Sequence, residues 1–148
     1  MNENLCYKLN YLSRLLLSQL NNQIKPYGVT QGQLPVLCCL DEDDGQTQVE
    51  LCKNVQVEQP TMANTLRRME RDGLIYRTSS EHDRRQSRVF ITEPTRPTVE
   101  ILKKKRDEVV ARMTQHMSEK ELETFNRLLD VATQTLEQTE PDESKMEK

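Results

Sequence analysis

The chain has 148 residues, a formal net charge of −3 at pH 7, 34% hydrophobic residues and 30% charged residues. This length suits a single domain with a moderate core. There is no tryptophan and there are only two phenylalanines, so the composition favours helices that share apolar surface with a partner. The excess of acids argues weakly against a nucleic-acid binder, but the distribution of charge matters more than its sum.

The sequence contains no run of about 18 apolar residues, which a transmembrane helix would need. Its start, MNENLCYKLN, lacks the basic and apolar segments of a secretion signal. We therefore expect a cytoplasmic protein whose cysteines are reduced thiols. None of them forms a C-x-x-C pair, so neither a metal site nor a cofactor is expected. The cysteines are Cys6, Cys38, Cys39 and Cys52.

The first predicted helix covers residues 5–25, where leucines and Ile24 recur at helical spacing. Pro26 and Gly28 are expected to end it. Thr30 is the expected N-cap of a second helix, which carries Pro35 in its first turn.

Two further short helices follow the acidic loop 41–45. Thr47 is expected to cap the third helix, QVELCKNV, with Glu50 completing a capping box. The fourth helix is predicted from about residue 59 to Arg71, with Pro60 in its first turn and a stop at Gly73.

The only strand candidates, residues 74–80 and 88–92, bracket a polar, basic loop and predict one antiparallel hairpin. A long helix over 97–117 follows, and Ser118 with Glu121 forms a capping box for the last helix. Three short helices followed by a hairpin indicate a mainly α fold built around a winged helix-turn-helix.

The fourth helix combines an inward stripe of Met62, Leu66 and Met69 with a polar outward face. Asn and Thr side chains can donate to and accept from base edges, and an arginine can reach guanine or a phosphate. The sequence therefore predicts that this helix contacts double-stranded DNA, although the same face would also suit an ordinary solvated helix. The predicted contact residues are Gln59, Thr61, Asn64, Thr65 and Arg68.

Seven arginines lie between Arg67 and Arg88, and four of them belong to the predicted hairpin. Arginine inserted into a minor groove senses its width and potential. We expect Arg84, Arg85 and Arg88 to contact DNA, with Asp83 orienting an arginine through a charge-assisted hydrogen bond.

The segments LRRMERDGLIYR (66–77) and DRRQSRVFIT (83–92) resemble the recognition-helix end and the wing signature of the multiple antibiotic resistance regulator (MarR) family. The resemblance extends from about Leu5 to Leu136. It implies a homodimeric transcriptional regulator, more often a repressor than an activator, on a pseudo-palindromic operator. The family's T-x-x-G after the second wing strand is here Thr92-Glu93-Pro94-Thr95, which leaves the start of the next helix open.

This resemblance divides the chain into functional parts. Residues 29–94 would form the winged helix-turn-helix DNA-binding domain. Residues 1–28 and 95–138 would form the helical dimerisation region. Residues 139–148, which have almost no apolar side chains, are expected to be a flexible tail.

A candidate signal input lies in LCYKLNYLSR (5–14), which resembles the opening of the organic hydroperoxide resistance regulators, a thiol-sensing branch of the family. Cys6 falls where that branch has its reactive cysteine, but the tyrosine-rich segment that holds the thiolate there is replaced by residues 30–34. Cys6 is a candidate redox sensor or, alternatively, a structural cysteine, and the other three cysteines are expected in the core. The family also suggests a small aromatic or phenolic effector.

Two other functional classes are alternatives to DNA binding. An enzyme is not expected, because there is no nucleophile motif and the chain has only two histidines and four glycines. The remaining alternative is a winged-helix protein-interaction module without specific DNA binding, in which the wing arginines would bind an acidic partner.

Overall fold

The computed structural model describes residues 2–80 and 83–139, with residues 2, 3, 80, 83–86 and 139 described by their backbone alone. The chain divides into two compact units, residues 1–110 and 111–148. The elements follow the expected mainly α order of a winged helix-turn-helix. They are α1 (Asn2–Ile24), α2 (Leu34–Glu42), β1 (Gln46–Thr47), α3 (Gln48–Val55), α4 (Gln59–Arg71), β2 (Ile75–Ser80), β3 (Asp83–Ile91), α5 (Arg96–Met113) and α6 (Glu119–Thr139).

None of the helices in the described part of the chain is long and apolar enough to cross a membrane.

The junction between α1 and α2 confirms one prediction and corrects another. Helix α1 ends at Ile24, and a 3-10 turn leads to Gly28, whose φ is 76°. Helix α2 begins at Leu34, so Thr30 is not its N-cap. Instead, the buried Gln33 side chain accepts a hydrogen bond from the Thr30 backbone N–H at 3.1 Å.

The helix-turn-helix unit is α3 and α4. The Thr47 hydroxyl oxygen accepts a hydrogen bond from the Glu50 N–H at 3.2 Å, which fixes the start of α3 where it was predicted. Gln56 then takes a left-handed conformation, with φ 61° and ψ 51°, and turns the chain into α4. Helix α4 begins with Gln59 and Pro60, as expected, and the left-handed Gly73 follows its end.

The sheet is larger than the predicted hairpin, with antiparallel strands in the order β1-β3-β2. The predicted loop is wrong in extent, because β3 begins at Asp83 and pairs with Ser80. Residues 83–87 are polar and lack apolar alternation, so their sequence gave no strand signal; backbone hydrogen bonds alone define a strand there. Strand β1 has two residues, too few for a periodic pattern.

One hydrophobic core joins α2, α3, α4, the inner face of the sheet and the first half of α5. The predicted inward stripe of α4 is part of it, and Met62, Leu66 and Met69 are fully buried. The core also includes Ile24, Val29, Leu34, Val36, Leu37, Leu40, Leu51, Leu74, Ile75, Val89, Ile91, Val99 and Leu102.

Pro94 lies in a 3-10 turn, Glu93–Thr95, and α5 starts directly after it at Arg96, with Pro97 in its first turn. The Thr92 hydroxyl donates to the Gly73 carbonyl at 2.8 Å, which holds this turn against the end of α4. Helix α5 is anchored by two acids, because Asp44 in the loop after α2 bonds Arg96, and Asp41 in the last turn of α2 bonds Lys103. The predicted loop 41–45 is therefore wrong at its start, since α2 continues to Glu42. Helix α5 ends at Met113, four residues before the predicted end.

The predicted capping box of α6 is confirmed in both directions. The Glu121 N–H donates to the Ser118 hydroxyl at 3.1 Å, and the Ser118 N–H donates to Glu121 Oε1 at 2.9 Å. Helix α6 reaches Thr139, the first residue of the predicted tail. The rest of that tail, residues 140–148, lies outside the described part of the chain.

Candidate nucleic-acid interface

Helix α4 places most of its predicted contact residues on its outward face. Gln59, Thr61, Asn64 and Arg68 are exposed and Thr65 is half-buried. Met62, Leu66 and Met69 hold the opposite face in the core. Since packing fixes the rotation of the helix about its axis, the polar face is presented as a unit that can enter a groove.

Two of the outward side chains of α4 are joined. Arg67 Nη2 donates to Asn64 Oδ1 at 2.6 Å. This bond engages the amide oxygen of Asn64, so its NH2 group faces away from Arg67 as a donor. The sequence analysis did not single out Arg67, although its i, i+3 spacing from Asn64 is a signal for such a pair.

A groove of about 530 Å³ lies between the start of α2 and the second half of α4. Thr65, Arg68 and Arg71 line one wall, and residues 30–33 line the other. Arg71 Nε also bonds Asp72 at 3.2 Å. The N–H groups of Thr30, Gln31 and Gln33 are already used in hydrogen bonds. The groove therefore offers phosphate oxygens the guanidinium groups of Arg68 and Arg71, with the Asp72 carboxylate beside them.

The base of the wing is held by a ring stack and by hydrogen bonds. The Tyr76 and Phe90 rings stack, with centroids 5.4 Å apart and 16° between their planes. Arg88 Nη1 donates to the Gly45 carbonyl at 2.9 Å, and Gly45 N donates to the Val89 carbonyl at 2.9 Å. Arg88 therefore anchors the wing to the turn before β1; its predicted DNA contact stays a prediction.

The tip of the wing holds the other predicted contact residues. Asp83, Arg84 and Arg85 occupy the first positions of β3, next to Ser80 in the register. Their side chains lie outside the described residues, so their roles at DNA remain predictions. Among the described side chains, Arg77 Nε on β2 is buried without a hydrogen-bond partner.

Comparison with known proteins agrees with this geometry. The MarR family model matches residues 29–87. Over 128 residues the chain is 28% identical to YwoH of Bacillus subtilis strain 168, an uncharacterized HTH-type transcriptional regulator. The alignment covers 86% of this chain and 93% of that protein. The winged helix-turn-helix part of the chain thus matches the MarR family model.

Two solved structures extend this similarity to three dimensions. The S. aureus MepR–DNA complex has 27% identity and a TM-score of 0.82, covering 88% of this chain and 97% of that one. A MarR transcriptional regulator from Methanosarcina mazei Go1 has 27% identity and a TM-score of 0.77, covering 91% and 98%. The protein is thus a winged helix-turn-helix, DNA-binding transcriptional regulator.

The four thiols of the chain occupy two kinds of environment. Cys6 is exposed on α1. Cys38, Cys39 and Cys52, expected in the core, are half-buried and pack against its edge. Burial raises the pKa of the Cys38 thiol, and the Arg106 guanidinium, 3.4 Å from its sulfur, opposes that rise only in part. Burial also raises the pKa of Cys52, so both thiols stay protonated and unreactive at neutral pH.

Proposed function

We propose that this MarR-family protein is a homodimeric, sequence-specific repressor of a pseudo-palindromic operator. The observation that carries the proposal is the outward face of α4, where amide, hydroxyl and guanidinium groups stand side by side on a helix fixed by its buried stripe. Such a face offers donors and acceptors to base edges in the major groove. The similarity to MepR, whose structure was solved with DNA, supports this use of the helix.

Exposed apolar surface on α1 supports a dimer. Tyr7 is 71% exposed and Leu5 is 59% exposed on this helix, and Leu9 and Tyr11 are also exposed. Leu5 and Leu9 lie on one side of the helix and Tyr7 and Tyr11 on the other. Exposed apolar surface on two sides of one helix supports a protein interface. A second copy of the chain is the occupant that the family favours.

Helix α6, considered by itself, also carries exposed apolar residues that support a dimer. No residue from Glu119 to Gln138 is buried, although the helix carries five exposed large apolar residues. Isolated helices are marginal in water, so a helix of 21 residues needs a packing partner. Its exposed apolar residues are Leu122, Leu128, Leu129, Val131 and Leu136.

A two-fold dimer explains the expected operator. Two recognition helices related by such an axis fit half-sites separated by about one turn of DNA, roughly 34 Å. The operator would therefore be a pseudo-palindrome, and a dimer bound over a promoter would repress transcription. The protein would act in the cytoplasm, where it meets DNA.

Release from DNA is proposed to follow either a small aromatic or phenolic ligand or the oxidation of Cys6. The exposure of Cys6 supports the second route, because a sensing thiol must be accessible to its oxidant. The raised pKa values of Cys38 and Cys52 favour Cys6 over them as the sensor.

The test is selection of binding sites from a random DNA pool under reducing conditions, followed by titration of the best site. A palindromic site bound by two chains is the expected result. Absence of any preferred sequence would instead favour the protein-interaction module. Repeating the titration with a mild organic peroxide tests release: affinity should fall in the wild type and stay unchanged in Cys6→Ser. Loss in both proteins would assign the effect to another group.

A further inference from the structure

The two helices of the helix-turn-helix are joined at their first residues. Gln48 begins α3 and Gln59 begins α4. The Gln48 Nε2 group donates a hydrogen bond to Gln59 Oε1 at 2.9 Å. Gln59 is one of the predicted DNA contacts, whereas nothing in the sequence singled out Gln48.

We propose that Gln48 is a positioning residue that orients the Gln59 amide for recognition of an adenine in each half-site. The inference rests on the proposed function, because it requires the start of α4 to lie in the major groove. Beyond that function, it names adenine as the base that Gln59 recognises. It also names Gln48, on α3, as the residue that orients Gln59.

The chemistry of the bond determines which base is favoured. Gln59 Oε1 uses one lone pair for Gln48 and keeps a second, while its Nε2 keeps both N–H donors. An oxygen acceptor beside a nitrogen donor matches adenine, which offers the N6 amino group and the N7 acceptor. Guanine offers two acceptors, O6 and N7, at the same edge and would leave Gln59 Oε1 unpaired.

Gln48 also couples the orientation of Gln59 to its own. A glutamine amide that turns by 180° exchanges its oxygen and nitrogen. If Gln59 turned alone, its NH2 group would face the NH2 group of Gln48, two donors without an acceptor, so Gln59 keeps the bond only if both amides turn together. Without Gln48, the Gln59 amide could take either orientation and would accept adenine or guanine with less discrimination.

The bond is suited to orientation rather than to stability. Gln59 is exposed and Gln48 is half-buried, and a neutral hydrogen bond in contact with water contributes little net stability. A glutamine also has large rotamer freedom, which DNA binding would otherwise have to remove. Loss of Gln48 should therefore change base preference while leaving the unfolding midpoint unchanged.

The experiment selects DNA sites with the full-length wild type, Gln48→Ala, Gln59→Ala and the double variant, and then titrates single-base changes of the preferred site. Gln19→Ala, an exposed glutamine on α1, is the matched control. We expect Gln59→Ala to lower the preference for A·T at one position of each half-site by about 5- to 150-fold. Gln48→Ala should lower the preference at that same position by about tenfold and nowhere else, and should add nothing in the Gln59→Ala background.

Three results would overturn the proposal. Gln48→Ala could weaken all sequences equally, which would assign it to phosphate contact or to folding. The two substitutions could act additively, or the position read by Gln59 could prefer a base pair other than A·T. If the wild type itself shows no preferred sequence, the proposed function fails together with this inference. If the wild type has a preferred site that Gln48→Ala leaves unchanged, this inference fails alone.

Discussion

Helices α4 and α6 are both amphipathic, yet they complete their packing in different ways. Helix α4 buries Met62, Leu66 and Met69 fully within its own chain. Helix α6 buries nothing from Glu119 to Gln138, and its Leu136 is 72% exposed. The contrast indicates that the winged domain carries its own core, whereas the exposed apolar residues of the C-terminal helix support the proposed dimer. In that proposal, DNA binding and dimerisation would depend on different parts of the molecule.

The largest expected effect of a single substitution lies in the core beneath the recognition helix. Leu66→Ala should destabilise the fold by about 2–5 kcal/mol, because it removes a fully buried side chain and leaves a cavity. Urea unfolding at fixed protein concentration measures the change. Val49→Ala, at a position that is 66% exposed on α3, is the control and should change stability by less than about 0.5 kcal/mol. Equal losses in both variants would mean that α4 is not packed as described.

A substitution on α6 should act on assembly instead. Leu136→Glu is expected to weaken self-association by about 1.5–3 kcal/mol for each leucine that the dimer buries. Sedimentation equilibrium over a range of protein concentrations measures it. Gln134→Glu adds the same charge to an exposed position of the same helix and should have little effect. A dimer that tolerates Leu136→Glu would remove α6 from the proposed interface.

On the DNA face, Asn64→Ala should cost about 1–3 kcal/mol of binding at particular base pairs only. The reason is that Arg67 holds the Asn64 amide with its NH2 group outward. Titration of the selected site and of its single-base variants gives the answer. A uniform loss over all sequences would reassign Asn64 to a phosphate contact.

The base of the wing offers a matched pair of glycines, both with positive φ. A Cβ at Gly45 would lie 2.8 Å from Phe90 Cε1, whereas nothing lies within 4 Å of a Cβ at Gly73. Gly73→Ala should therefore cost about 1 kcal/mol from the left-handed backbone alone. Gly45→Ala should cost about 1–3 kcal/mol more, because the Phe90 ring must move. Thermal unfolding of both variants measures the two losses of stability. A loss in Gly73→Ala as large as that in Gly45→Ala would contradict the prediction.

The smallest expected effect is a pH dependence at the start of α6. The Ser118 backbone N–H, together with the Ser118 hydroxyl, lowers the pKa of the Glu121 carboxyl below its ordinary value. A lowered folded-state pKa gives stabilisation that is present above the ordinary pKa of about 4.3 and is lost as the pH falls through the folded-state value. Glu121→Gln should flatten this acid-side loss of helicity, measured by circular dichroism, and Glu123→Gln should not. Identical acid profiles in the two variants would contradict the capping role.

Local signals predicted much of the fold. The capping residue Thr47 and the Ser118–Glu121 box located the starts of α3 and α6, and the spacing of Met62, Leu66 and Met69 predicted the buried face of α4. These features depend on residues three or four apart. The outward position of the predicted contact residues of α4 followed from the same periodicity.

Long-range pairings were missed because no local pattern encodes them. Strand β1 pairs Gln46 with Val89 across 43 residues of chain, and its two residues show no alternation. The polar start of β3 is held by backbone hydrogen bonds. The bond between Gln48 and Gln59 depends on the angle at which α3 meets α4, which the left-handed Gln56 helps to set.

The measurement that tests the central claim most directly is a titration of the selected DNA site with the separation of its half-sites changed by five base pairs. Half a helical turn moves one half-site to the opposite side of the duplex, where a rigid dimer cannot reach it with its second recognition helix. The account predicts that affinity falls to the level of a single half-site. Unchanged affinity would mean that each winged domain binds DNA alone. This result would contradict a dimer that places two recognition helices on one operator.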